Sequence, residues 1–174
     1  MNVALVGLPG SGKSTIAKHL SKRLGLALLD SDHEIEGQLG CSVRDYFTLH
    51  GEARFREVEA KILDKLAAID GVLSTGGGAV LSIANRETLR RQSFVIYLHS
   101  TPYEVFKRIR YDRTRPLLQV DNPLRRLEEL YAARDPLYRE VASVVVETDR
   151  PSVLSLVATI VSCLERAYGP RSIE

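Results

Sequence analysis

The chain contains no tryptophan, one methionine and only two cysteines among 174 residues. Cys41 and Cys163 stand far apart, and neither belongs to a C-x-x-C pattern, so the sequence offers no zinc ribbon and no dithiol redox motif. Two reduced thiols are expected, not a disulfide. The histidines are His19, His33, His50 and His99, scattered without metal-ligand spacing. No run of roughly 18 apolar residues is present, so no membrane-spanning helix is expected. No basic segment leading into an apolar stretch marks a secretory leader. A net charge of +2 is too small to argue for a nucleic-acid partner. There are no repeats, linkers or low-complexity segments. These absences lead to the expectation of a cytoplasmic protein with no membrane or nucleic-acid partner. A single domain over residues 1–174, acting as a monomer, is expected.

What remains is ordinary globular composition, 44% hydrophobic and 26% charged. Short apolar runs at residues 3–6, 26–29, 72–74, 95–98 and 144–146 are continuous instead of alternating, the pattern of parallel strands covered on both faces. Helical spacing fills residues 13–24, stopped by Gly25, and residues 52–68, where Phe55, Val58, Ile62, Leu63 and Leu66 share a stripe. Ser100 or Thr101 caps a helix with Pro102 in its first turn, and residues 151–167 form a last helix stopped by Gly169 and Pro170. Strand–helix alternation predicts an α/β sandwich with right-handed crossovers. Residues 110–122 break the pattern with alternating charges and Pro116, and are predicted to be a functional surface loop between two helices.

Residues 7–14, G-L-P-G-S-G-K-S, match G-x-x-x-x-G-K-[ST] at every fixed position, with a strand before and a helix after. The glycines allow several backbone N–H groups to wrap around phosphates, and the helix N-terminus adds its positive end. Lys13 supplies a point charge for the β- and γ-phosphates, and the Ser14 hydroxyl suits Mg²⁺. This establishes a nucleoside triphosphate ligand but not its fate.

The second strand leads into Asp30-Ser31-Asp32, at the strand end where open α/β sheets bind ligands. Strand alternation would point both carboxylates into one site, with Asp32 on an acceptor hydroxyl and Asp30 on the metal. The alternative is that one of them caps a helix starting at His33. Three glycines, Gly76, Gly77 and Gly78, leave the third strand and let amides approach a ligand. Arginines gather as Arg54 and Arg56, then Arg108, Arg110, Arg113 and Arg115, then Arg134. Phosphoryl transfer needs positive charge on the transferring group, and Arg115, stiffened by Pro116, is the candidate internal arginine finger. Arg54, Arg110 and Arg113 read as surface charges.

In order, residues 7–15 (G-L-P-G-S-G-K-S-T), 30–32 (D-S-D), 55–59 (F-R-x-x-E), 76–78 (G-G-G), 115–118 (R-P-L-L) and 134–138 (R-x-P-L-Y) make the chain resemble shikimate kinases over nearly its whole length. The resemblance implies a P-loop NTPase three-layer sandwich with a five-stranded parallel sheet in order 2-3-1-4-5 and a mobile lid. The lid falls at about residues 110–122 and an acceptor-binding helical region at about 31–60. It implies ATP and Mg²⁺ as co-substrate and cofactor, and transfer to the 3-hydroxyl of shikimate, a step of aromatic amino acid synthesis. Catalytic roles fall to Lys13, Asp32 and Arg115. Nucleotide contacts fall to Gly10, Ser11, Gly12, Lys13, Ser14, Thr15, Arg108, Arg115 and Arg150, with Arg108 stacked on adenine. The acceptor is expected to meet Asp32, Arg56, Arg134, the Gly76, Gly77 and Gly78 amides, Phe47 and Phe55. Ser14 and Asp30 would serve the metal, and Glu59 would support the metal site or orient Arg56. D-S-D carries serine where threonine is more usual, and the loop at 149–151 looks short. The competing readings are a kinase of gluconate or of a nucleoside monophosphate, and a nucleotide-dependent switch without transfer activity.

Overall fold

The computed structural model describes residues 1–110, 120–149 and 152–170. Five strands, β1 (Asn2–Val6), β2 (Leu28–Asp30), β3 (Gly71–Ser74), β4 (Phe94–His99) and β5 (Val144–Glu147), form one sheet in the order β2-β3-β1-β4-β5. Every neighbouring pair is parallel, as the continuous apolar runs predict. The side-chain period of two then divides each strand between two apolar layers. Ala4, Val6, Leu73, Val95 and Tyr97 face one layer, while Val3, Leu5, Val72, Ile96 and Leu98 face the other.

Helix α1 (Lys13–Leu24) and α7 (Val153–Tyr168) cover the second face with Ile16, Leu20, Ile160 and Leu164. The first face is covered by α2 (Ser31–Leu39), α3 (Val43–Ala67), α4 (Ile83–Gln92), α5 (Pro102–Ile109) and α6 (Pro123–Val141). Leu63, fully buried on α3, anchors this layer; its truncation to alanine is expected to destabilise by about 2–5 kcal/mol.

Boundaries differ from the sequence pattern where local hydrogen bonding decides. At the end of α1, Gly25 adopts φ 64° and the Leu26 amide closes back onto Ser21 O at 3.0 Å. Leu26 therefore belongs to the helix stop, and β2 begins two residues later than its apolar run suggests. Gly51 (φ 82°, ψ 170°) breaks α3 just before the residue where the apolar stripe predicts a start. Thr101 caps α5 through a reciprocal pair with Glu104, and Ser152 caps α7.

Helix α4 was not legible, and α6 was expected only as the helix after the 110–122 loop, without bounds. Helix α4 buries only Asn85, Thr88 and Leu89, too sparse a stripe to show a period. Helix α6 contains Pro136, which removes one backbone donor and normally disfavours a helix by about 3 kcal/mol. Burial of Leu127, Leu130, Tyr138 and Val141 on the same helix offsets that loss.

Candidate active site

The loop after β1 turns back on itself, with the Ser11 amide donating to Leu8 O at 3.1 Å, and Gly12 (φ 96°) starts α1. Lys13 is buried, and its Nζ donates to Gly7 O and Leu8 O at 2.8 Å each. The ammonium is thus held by the loop it serves. Ser14 and Thr15 are exposed on the first turn. A cleft of about 340 Å³ opens between this loop, Asp30, Asp32 and the end of β3. A larger cleft of about 600 Å³ lies between β5 and α7; it has neither a phosphate loop nor converging acids.

The D-S-D triplet divides its work differently from the strand-alternation expectation. Asp30 is the N-cap of α2, its Oδ1 accepting from the His33 amide at 3.0 Å. The helix begins at Ser31, not His33. The capping alternative therefore holds for Asp30, although it also lines the cleft. Asp32 reaches the same cleft from the first turn of α2, not from a strand. Burial first, and then the neighbouring Asp30, push its pKa above the ordinary carboxylate range, against the pull of Lys13. Ser31 is fully buried, and its Oγ accepts the Gly76 amide at 3.1 Å. Of the three glycine amides expected to meet an acceptor, that of Gly76 is thereby committed within the protein.

The glycine segment is where the distant motifs meet. A Cβ on Gly76 would lie 2.9 Å from Asp32 Oδ1 and 3.3 Å from Glu59 Oε2. One on Gly77 would lie 3.0 Å from the Pro9 ring and 3.4 Å from Arg134 Nη1, and one on Gly78 would overlap Arg56 Nη2 at 2.3 Å. Any side chain here would collide with the groups gathered around the segment, which is the physical reason for three consecutive glycines. Arg56 Nη1 donates to Glu59 Oε1 at 2.7 Å, and Glu59 is almost fully buried. Burial raises the Glu59 pKa and Arg56 opposes the rise. The Arg56 guanidinium also stands 5.1 Å from the Phe55 ring centroid. Phe55 itself is a core residue with Phe47 packed 5.5 Å away, centroid to centroid.

On the nucleotide side, Arg108 ties three segments together. It donates to Ser11 O at 3.4 Å, Ser100 Oγ at 3.2 Å, and Thr148 O and Oγ1 at 2.8 and 3.0 Å. Ser100 and Thr148 are themselves hydrogen-bonded. A cleft of about 240 Å³ beside Arg108 is bordered by Thr15, Ile16, Thr148, Val153 and Leu156. Its apolar floor and position past the P-loop suit a base, and Arg108 stays exposed on one side.

Arg54 and Arg110 are exposed, in keeping with surface charges. Arg113, Arg115 and Arg150, most of the expected lid, and Pro116 lie outside the described residues. His99 joins Glu147 and Tyr131 by hydrogen bonds of 2.7 and 2.8 Å at the ends of β4 and β5. Among the described residues no group of three metal-ligating side chains converges. Tyr138 went unnoticed as a functional candidate: its hydroxyl donates to Gly77 O at 2.6 Å. The available signal was its four-residue spacing from Arg134, one turn along the helix that follows the 110–122 loop.

A phosphate loop at the topological switch of a parallel sheet, sharing a cleft with an acid and with a glycine segment against which two arginines lie, defines a P-loop phosphotransferase. The sequence profile described as Shikimate kinase matches residues 9–165, and the chain belongs to the shikimate kinase family; it is an ATP-dependent kinase. It is 48% identical to a shikimate kinase of Paracidovorax citrulli, covering 96% of this chain and 93% of that one. Against the shikimate kinase of Ralstonia nicotianae the identity is 50%, over 95% of this chain and 88% of the relative. The structure of the Acinetobacter baumannii shikimate kinase in complex with shikimate superposes with a TM-score of 0.90 at 40% identity, covering 96% and 94% of the two chains. The Aquifex aeolicus shikimate kinase gives 0.82 at 30% identity, over 97% and 99%.

Proposed function

We propose that this chain transfers the γ-phosphoryl group of ATP to the 3-hydroxyl of shikimate, giving shikimate 3-phosphate and ADP. The observation that carries the reading is the convergence of Asp32, Arg56 and Arg134 on the 76–78 glycines, beside the phosphate loop. Shikimate bears one carboxylate and vicinal hydroxyls. Two guanidinium groups suit the carboxylate; an acid and the Gly77 and Gly78 amides suit the hydroxyls.

Asp32 orients the 3-hydroxyl and takes its proton on a carboxylate oxygen. Its raised pKa makes it a better proton acceptor than an exposed aspartate. Lys13 and the loop amides hold the phosphates in line and balance their charge. Ser14 fits Mg²⁺ as a hydroxyl on the first turn of α1, and Asp30, with one oxygen in its cap, lines the same cleft and has a second oxygen for a metal-bound water. When bound, Mg²⁺ would neutralise charge on the β- and γ-phosphates. Arg108 would border the adenine, as its place beside the second cleft supports. Phe47 and Phe55 would support the acceptor side from below, through Arg56. Arg115 and Arg150 are assigned to the nucleotide from their sequence positions alone.

One sheet with both faces covered supports residues 1–174 as a single kinase domain. Residues 31–60 would receive the acceptor and residues 110–122 would form the lid. No helix among the described residues is long and apolar enough to cross a membrane. A cytoplasmic monomer without a nucleic-acid partner completes the proposal. The test is ADP release coupled to a reporter, with shikimate, gluconate and nucleoside monophosphates in parallel. Turnover with shikimate alone is expected; faster turnover with another acceptor would replace the assignment, and release independent of any acceptor would leave only a nucleotide hydrolase or switch.

A further inference from the structure

Tyr138 is 1% exposed and stacks at 5.0 Å on Tyr97, which reads at first as a core aromatic. Its hydroxyl, however, does not end in the core. It donates to the carbonyl oxygen of Gly77 at 2.6 Å, across 61 residues of sequence. Arg134, one helical turn earlier on α6, lies close enough to the same phenol oxygen for its charge to act on it. Arg134 Nη1 is also the cation nearest to Gly77. One buried hydroxyl therefore joins an arginine to the glycine segment.

The consequence follows from peptide geometry. The Gly77 carbonyl and the Gly78 N–H belong to the same planar, trans peptide unit, and they point in opposite directions. Fixing the oxygen fixes the direction of the amide. A glycine on either side of that unit leaves it free to rotate about its flanking bonds, because no Cβ restricts φ or ψ. Among the described residues the Gly78 amide donates no hydrogen bond, whereas the Gly76 amide is already held by Ser31. The unit most in need of a brace is the one that Tyr138 braces. We infer that Tyr138 is a positioning residue for the acceptor: it aims the Gly78 amide and registers it against Arg134, so that one hydroxyl and one carboxylate of the same small molecule are met together. This rests on the acceptor assignment proposed above. Burial pushes the phenol pKa up to about 12, against the nearby Arg134 charge, so the hydroxyl stays a donor throughout the neutral range.

The test compares Tyr138→Phe with Tyr97→Phe, each of which removes one buried hydroxyl from the same stacked pair. For Tyr138→Phe the shikimate KM is expected to rise about tenfold with kcat and the ATP KM within about twofold, the signature of lost acceptor binding. The Gly78 amide resonance in ¹⁵N-labelled free protein should move in Tyr138→Phe and stay in place in Tyr97→Phe. An unchanged shikimate KM in Tyr138→Phe overturns the inference, as does an equal displacement of the Gly78 resonance in both variants. If the parent enzyme itself fails to turn over shikimate, the acceptor assignment falls. The resonance then decides the brace alone: an unmoved Gly78 signal in Tyr138→Phe overturns it.

Discussion

The Arg56 guanidinium occupies the space that a side chain on Gly78 would need: a Cβ there would stand 2.3 Å from Nη2. The Gly78 backbone has φ −97°, which any residue adopts, so Gly78→Ala introduces no conformational strain. The clashing atoms are the far end of a flexible arginine, which can swing away. Gly78→Ala is therefore expected to raise the shikimate KM by about tenfold or more, and to lower the melting temperature to the extent that the displaced guanidinium loosens its pair with buried Glu59. Steady-state kinetics beside a thermal melt check this, and a large loss of stability with unchanged KM would contradict it.

Arg108 makes the opposite prediction, on the nucleotide side. Its four hydrogen bonds draw the P-loop, the end of β4 and the segment after β5 together around the second cleft. Arg108→Ala is expected to raise the ATP KM about tenfold and leave the shikimate KM within about twofold. Varying each substrate at saturation of the other separates the two effects.

Sequence pattern alone carried the parallel sheet, because buried strands are continuous apolar runs, and the phosphate loop, because its chemistry needs residues at fixed spacing. Strand order came from the family resemblance. Helix α6 was legible only as a helix of undefined extent after the 110–122 loop, because its buried residues Leu127, Leu130, Tyr138 and Val141 form a sparse stripe that only the assembled sheet reveals. The role of Tyr138 was hidden because its partner Gly77 is remote in sequence. Asp30 illustrates another limit. A carboxylate before a helix reads equally as a cap or a ligand, and only geometry shows one oxygen on the His33 amide. The tie from Ser31 to Gly76 could not be read, since its partner is a backbone amide remote in sequence.

Arg56 and Arg134 should fail in different ways. Glu59 is 1% exposed and paired with Arg56 at 2.7 Å. Arg56→Ala leaves that carboxylate buried without its nearest cation, a change expected to destabilise by about 3–5 kcal/mol. Arg134 is only partly buried and, among the described residues, makes no ion pair like that of Arg56 with Glu59. Arg134→Ala is expected to raise the shikimate KM with a small change in melting temperature and nearly intact ATP binding. The double variant Arg56→Ala, Glu59→Gln should recover much of the stability without recovering the KM. Recovery of both would reduce Arg56 to a structural counter-ion.

Asp32 ties activity to stability through its protonation. Burial, followed by the Asp30 charge, holds its pKa above the ordinary carboxylate value in the folded state. A carboxyl with a higher pKa folded than unfolded binds protons more tightly in the fold. Its contribution to stability therefore declines as pH rises from the unfolded value through the folded one, and the penalty is complete above the folded pKa. Asparagine has the same shape and no charge. Asp32→Asn is expected to melt above the parent at about pH 8, with the difference closing as the pH falls towards about 4. Turnover should move the other way, with kcat lower by about a hundredfold or more for want of a proton acceptor. Melting curves across that pH range, read beside kcat, test both halves. A variant that is active, or that melts below the parent at about pH 8, would show that the buried charge is neither the base nor a source of strain on the fold.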